Sequence, residues 1–251
     1  MTLPQDWPNQ RVTTTAPADN KVKMQVVETS EKKLFNFDGA TFSKLDKRSI
    51  YTRGYWDYFM PLAFVSKEPR ILMIGLGGGT IPYQIGTITK GRAAIDSVEI
   101  DPKIAKLAKK FVPRLYGKVI IGDGCDYVMR TRKRYDLVIL DAYEGSARIP
   151  KQFTGNEFVE NAHRILSENG VLAINYALTP GNLLRLGIYK YRLRKKFSLY
   201  SVKTTRLGDM IVLLGLKRMK KEALIARIKN GMVQDRENAD IIKRYSKMRK
   251  A

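Results

Sequence analysis

Carboxylates and glycines recur in this chain at places where chemistry could be done. Gly75, Gly77, Gly78 and Gly79 follow the apolar run 71–74, and Glu99 closes a second run. Asp123 and Gly124 follow a third run, and Asp141 and Glu144 a fourth. Glycines at the end of a strand let a ligand approach bare backbone and commonly present N–H groups to a nucleotide. A carboxylate such as Glu99 can accept both hydroxyls of a ribose, since its two oxygens match a vicinal diol. Asp123, with bare backbone at Gly124, could meet an adenine amino group. Each acid also suits a helix N-cap or a turn, Asp101 and Asp123 above all. A glycine loop or an acid at each of four consecutive strand ends favours a ligand site, because open α/β sheets bind beyond the carboxyl ends of their strands.

Elements of two kinds must position these residues. Strand patterns at 70–75, 94–100, 118–122, 136–141 and 170–177 alternate with helical patterns at 81–89, 102–112, 126–133 and 155–168. Such alternation, with continuously apolar strands, predicts a doubly wound sheet that is parallel in this part. Runs 197–204 and 209–216, joined by a short turn at Arg206, Leu207 and Gly208, form a hairpin, so the last strand runs antiparallel to the rest. Ahead of the sheet, 22–28 and 33–39 read as two antiparallel strands. Asp38-Gly39 is a turn signal, and ATFSKL returns as a third strand. Residues 1–20 lack periodicity and read as a flexible or loosely packed arm. Residues 50–65 show helical spacing interrupted by Gly54 and Pro61, and the stretch after 217 reads as one or two basic amphipathic helices. The chain thus divides into an N-terminal arm and small β-domain (1–66), a nucleoside-binding α/β domain (67–217) and a basic helical tail (218–251).

Composition narrows the classes. A chain of 251 residues with 44% hydrophobic and 28% charged residues is globular rather than disordered. One cysteine, Cys125, excludes an intramolecular disulfide, and with a single histidine, His163, no tetrahedral zinc shell closes, so no metal is expected. Without a leader-like or membrane-length apolar run, the expectation is a cytoplasmic protein with no membrane partner. The net charge is +22, and residues 188–251 hold 19 Lys/Arg against 5 Asp/Glu. Nucleic acid could bind this basic tail, but aromatics are not interleaved as a base-stacking surface needs, so that partner is not favoured.

The glycine loop alone suits NAD or an S-adenosyl compound. Thr80 stands where the dinucleotide fingerprint wants a small residue, and an acid follows the third strand. With the closing hairpin these features fit a Rossmann-like, methyltransferase-type sheet of order 3-2-1-4-5-7-6. A cationic sulfonium also suits an acid-lined cleft. S-adenosyl is therefore preferred.

The succession LFNFDG, GLGGGT, VEIDP, GDGCDYV, YDLVILDAYEG and FVENAHRILSENGVLAIN resembles spermidine synthase and its relatives, the polyamine aminopropyltransferases, over roughly residues 22–216. The resemblance implies an N-terminal β-domain, decarboxylated S-adenosylmethionine as donor, a polyamine as small-molecule acceptor, and homodimers or homotetramers. By position it assigns Glu99 to the donor ribose, and Asp123 with Gly124 to the adenine. Asp141 falls beside the reacting chain, and Tyr51 in the acceptor site. The second acid of the family's D-x-x-D, which takes the proton of the attacking amine, is Glu144 here. Three positions depart. Gly78 replaces the loop Asp that binds the donor's amine, Phe42 replaces a glutamine, and Lys47-Arg48 stand where the family has an acidic pair for the polyamine. Two cations there would repel a dicationic acceptor. The main expectation is an aminopropyltransferase-like enzyme with Glu144, Asp141 and Tyr51 as catalytic residues. The alternatives are a methyltransferase using intact S-adenosylmethionine and a non-catalytic nucleoside-binding protein.

Overall fold

The computed structural model describes residues 11–15, 24–37, 40–144, 148–204, 210–233 and 235–251. The turns expected at Asp38-Gly39 and Arg206-Leu207-Gly208, and Gly145, lie outside the described residues. At the N-terminus β1 (Arg11–Thr15), β2 (Met24–Glu28), β3 (Lys32–Phe37) and β4 (Ala40–Asp46) form an antiparallel meander in that order. Within the expected arm, 11–15 is a strand paired with β2. RVTTT is rich in β-branched residues, and an available sheet edge turns that propensity into a strand. Phe35 and Leu45 carry this sheet onto Ile104 and Phe111 of the central domain.

The chain then enters a 3-10 helix, Tyr55–Val65, tighter than the helix expected there and holding Pro61. The central domain follows as β5 (Arg70–Ile74), α1 (Thr80–Ile88), β6 (Ala94–Glu99), α2 (Pro102–Phe111), β7 (Lys118–Ile121), α3 (Gly124–Arg130), β8 (Tyr135–Leu140), α4 (Asn156–Ile165) and β9 (Leu166–Ala177). After β9 come α5 (Pro180–Arg194), β10 (Ser198–Lys203), β11 (Met210–Leu216), α6 (Lys221–Gly231), α7 (Arg236–Ser246) and β12 (Arg249–Lys250). The sheet order is β7-β6-β5-β8-β9-β11-β10-β12. Counted from β5 this is 3-2-1-4-5-7-6, the expected order. β11 runs antiparallel to β9, and β12 adds an eighth, unexpected edge strand.

Alternation along the strands explains why they are apolar throughout. Leu72, Ile74, Val138, Leu140, Leu172 and Ile174 face Phe158 and Val159 of α4. Ile71, Met73, Leu137, Ile139, Val171 and Ala173 face the other way, onto Trp56, Phe59, Leu224 and Tyr245. Both faces are covered, so a polar face has no place. The C-terminal helices therefore share the main core: Leu224, Ile228, Ile241 and Ile242 are buried, and the Tyr245 hydroxyl donates to the Tyr58 carbonyl. Two helical expectations shift. α4 stops at Ile165, because Leu166 is already paired with Tyr135 in the sheet. α5 went unread in the sequence, since much of its apolar content is exposed, Leu184 at 85%.

Candidate active site

Every expected strand-end acid lies along the carboxyl edge of the parallel strands. Gly75, Gly77, Glu99, Asp101, Asp123, Gly124, Asp141 and Glu144 line one cavity of about 270 Å³, closed by Phe37, Phe42, Gln152 and Phe153. Two glycines of the loop face it. Gly75 has φ +84°, and a Cβ there would stand 2.4 Å from the Asp141 carbonyl oxygen. Gly77, at φ +52°, passes under Ser43 and Phe42 of β4. Gly78 and Gly79 are turned away from the cavity. A Cβ on Gly78 would meet Phe111 and Ser43, and one on Gly79 would meet Leu115.

Most of the loop's amides are engaged within the protein. Gly75 N–H donates to Val98 O (2.9 Å), Leu76 N–H to Glu99 Oε2 (2.9 Å), Gly78 N–H to Ser43 Oγ (2.7 Å) and Gly79 N–H to Leu76 O (2.9 Å). What the glycines supply is room for close approach.

Glu99 is buried, and its two oxygens accept from Leu76 N–H and Asp101 N–H at 2.9 and 3.0 Å. A carboxylate has about four acceptor sites, so this oriented pair retains capacity for a diol. Asp101 and Asp123 both act as N-caps, accepting from Lys103 N–H (2.7 Å) and from Cys125 N–H (2.7 Å) respectively. Asp123 does more. Its Oδ1 caps α3, while Oδ2 accepts from Gln152 Nε2 at 2.8 Å. Gly124 packs against Ile74, where a Cβ would come within 2.4 Å of its Cγ2.

A second cavity of about 280 Å³ lies beside the first. The two share Phe42, Gly77, Asp141 and Tyr143. Asp141 is the acid at the junction. Its Oδ1 accepts from Asn175 Nδ2 at 2.7 Å, and Oδ2 accepts from the Tyr55 hydroxyl at 3.4 Å. Burial raises its pKa to about 6 against the bonds from Asn175 and Tyr55, which lower it. Asp141 lines both cavities, where its carboxylate is largely withdrawn from water. At neutral pH it is a carboxylate ready to take a proton. Burial also holds the Tyr55 hydroxyl well above its usual pKa, so it remains a donor.

Tyr51 is not brought to this site. Its hydroxyl donates to Asp235 Oδ2 at 3.0 Å, at the start of α7. Tyr55, four residues on, stands at Asp141 instead. The intervening backbone turns sharply, with Arg53 at φ +57°. The Asp57 carboxylate fastens that turn by accepting from Thr52 N–H, Thr52 Oγ1 and Arg53 N–H. Glu144 lines the first cavity from an exposed position, its backbone paired with Arg148. It does not line the second. Lys47 and Arg48 are elsewhere too. Lys47 pairs with Glu28 at 2.8 Å and Arg48 with Glu31 at 3.4 Å, so their charges do not face Asp141.

Sequence reasoning missed Tyr55, Tyr143, Gln152 and Asn175. Asn175 alone carried a signal, as the one polar residue in the run VLAINYA. A buried amide in a core strand needs a partner, and here the partner is Asp141.

A glycine-loop cavity at the strand ends, on this sheet order, marks a methyltransferase-type α/β domain. Residues 58–177 match the spermine/spermidine synthase domain model. A polyamine aminopropyltransferase of Vibrio vulnificus is 36% identical over 120 residues, 45% of this chain and 40% of that protein. One of Clostridium botulinum is 31% identical over 161 residues, 60% and 54% of the two chains. The chain thus spans about half the length of these curated relatives. In fold it is similar to a probable spermidine synthase of Corynebacterium glutamicum, with a TM-score of 0.72 and 17% identity over 94% of each chain.

Proposed function

We propose that this protein transfers an aminopropyl group from decarboxylated S-adenosylmethionine to an amine. The observation that carries the reading is the place of Asp141, between a nucleoside-shaped cavity and a second pocket. Glu99 would hold the ribose diol, and Asp123, steadied by Gln152, with Gly124 the adenine edge. Phe42 and Phe153 would cover the rest of the nucleoside. The sulfonium donor supplies an electrophilic carbon. The amine lone pair forms the new C–N bond as the C–S bond breaks, and the electron pair goes to sulfur, leaving a neutral thioether. Asp141 takes the proton the attacking nitrogen must lose, with Asn175 and Tyr55 fixing its oxygens toward the junction. Most of the acceleration in such a displacement comes from holding the reacting atoms in line. Glu144 acts from the rim of the donor cavity, where it adds negative potential near the sulfonium. Tyr51 has no catalytic part in this reading.

Methyl transfer from intact S-adenosylmethionine is the second reading, favoured by one observation. Gly78 leaves no room for a side chain, so no loop acid clamps the donor's terminal amine. The deciding experiment incubates the protein with each donor and a set of primary amines, with products read by mass spectrometry. Aminopropylated amine together with the thioether nucleoside is the expected result. Methylated product from the intact donor would replace the reading, and absence of product with either donor would sink both.

A further inference from the structure

The second cavity is lined by apolar groups over most of its extent: Ala40, Phe42, Ala177, Leu178 and Met210. Its hydroxyls are uncharged and spend their protons or a lone pair inside the protein, leaving an ammonium neutral lone pairs but no counter-charge. Thr41 Oγ1 donates to Asn36 Oδ1 at 2.9 Å, Tyr55 to Asp141, and Tyr143 to the Asn175 carbonyl at 2.8 Å. Thr179 caps α5 by accepting from Asn182 N–H. Among the described lining residues Asp141 is the one carboxylate. An ammonium placed against the other described lining residues would lose water without gaining a counter-charge, a costly exchange in an apolar wall. The net charge of +22 works in the same direction, since a dication is repelled more than a monocation.

We propose that this cavity takes a primary amine carrying a single positive charge on an uncharged, apolar body. Its identity as the acceptor side rests on the transferase reading above. The ammonium end meets Asp141 and becomes the nucleophile on losing its proton. The hydrocarbon body lies along Phe42, Leu178 and Met210.

The test separates binding from turnover. With the full chain saturated by 5′-methylthioadenosine, n-pentylamine and 1,4-diaminobutane are titrated calorimetrically, followed by longer alkylamines. The monoamine is expected to bind at least about tenfold more tightly than the diamine. Affinity should rise about three- to fourfold per added methylene until the cavity is full. Met210→Glu, which adds a carboxylate to the apolar wall, should shift preference toward the diamine. Diamine binding equal to or tighter than monoamine binding in the wild type overturns the proposal, and so does binding of neither. Selective monoamine binding without turnover on the decarboxylated donor would count against the transferase reading while leaving this inference standing.

Discussion

The two cavities that meet at Asp141 are built by different means. The cavity at the glycine loop is assembled from strand ends, each contributing an acid or a glycine. Glu99 is held by two amides, and Asp123 by a helix cap and Gln152. The other side is assembled from distant pieces: the start of β4, Tyr55 of the 3-10 helix, the end of β9 and the start of β11. The first is rich in oriented acceptors, while the described lining of the second offers one carboxylate and apolar surface. A site can be built half from the regular ends of a sheet and half from the irregular segments around it.

The largest test of that contrast falls on the shared residue. Asp141→Asn should lower the transfer rate by about 10²–10⁴-fold, and the same change should stabilise the fold. The native pKa of about 6 stands above the usual 3.8. Stability linked to the protonated form is therefore complete below pH 4 and is lost as pH rises through 6. Asn has no proton to lose, so thermal unfolding at pH 8 should show a gain of about 1–3 kcal/mol that vanishes at pH 4. In the wild type, kcat/KM for the amine should climb as pH rises through about 6. A variant that remains active, or a profile flat across that range, would remove Asp141 from the chemistry.

Next in size, Glu99→Gln should weaken binding of the nucleoside donor by about 10- to 100-fold, read by calorimetry, with amine binding unchanged. Loss of amine binding as well would mean the two sides are not separable. Tyr55→Phe should reduce kcat by about five- to tenfold, because one oxygen of Asp141 loses its donor. Tyr51→Phe should leave kcat alone and cost about 0.5–1.5 kcal/mol of stability through the lost bond to Asp235. The reverse pattern would restore Tyr51 to the site. Smallest of all, Lys47→Ala should leave kcat/KM for amines within about twofold and stability within about 1 kcal/mol, as expected for a surface pair. A large gain in diamine use would show that its charge does reach the acceptor.

What was legible in the sequence follows the same divide. The sheet, its order and the acids of the donor side rest on local signals: apolar runs, glycines and caps within a few residues of each strand end. The acceptor side rests on tertiary placement. Counting residues from the N-terminal hairpin leads to Tyr51, whereas the left-handed turn at Arg53 carries Tyr55 to Asp141. Lys47 and Arg48 read as a charge reversal in the site, yet each finds an acid on the small sheet. β1 was unreadable for a related reason, because an edge strand is defined by the partner it joins. Asn175 was readable in principle, as an amide that a core strand would not hold without a partner.

The small sheet is tied to the donor loop by two hydrogen bonds, Gly78 N–H to Ser43 Oγ and Thr80 Oγ1 to Lys44 O. Whatever settles into the loop must also quiet the strand that braces it, and coupling of this kind is reciprocal. Occupation of the nucleoside cavity should therefore slow amide exchange along β4, including at residues that never touch the nucleoside. Loosening the sheet should in turn raise the concentration of nucleoside needed for half-occupancy. In this sense the N-terminal meander is a thermodynamic partner of the donor.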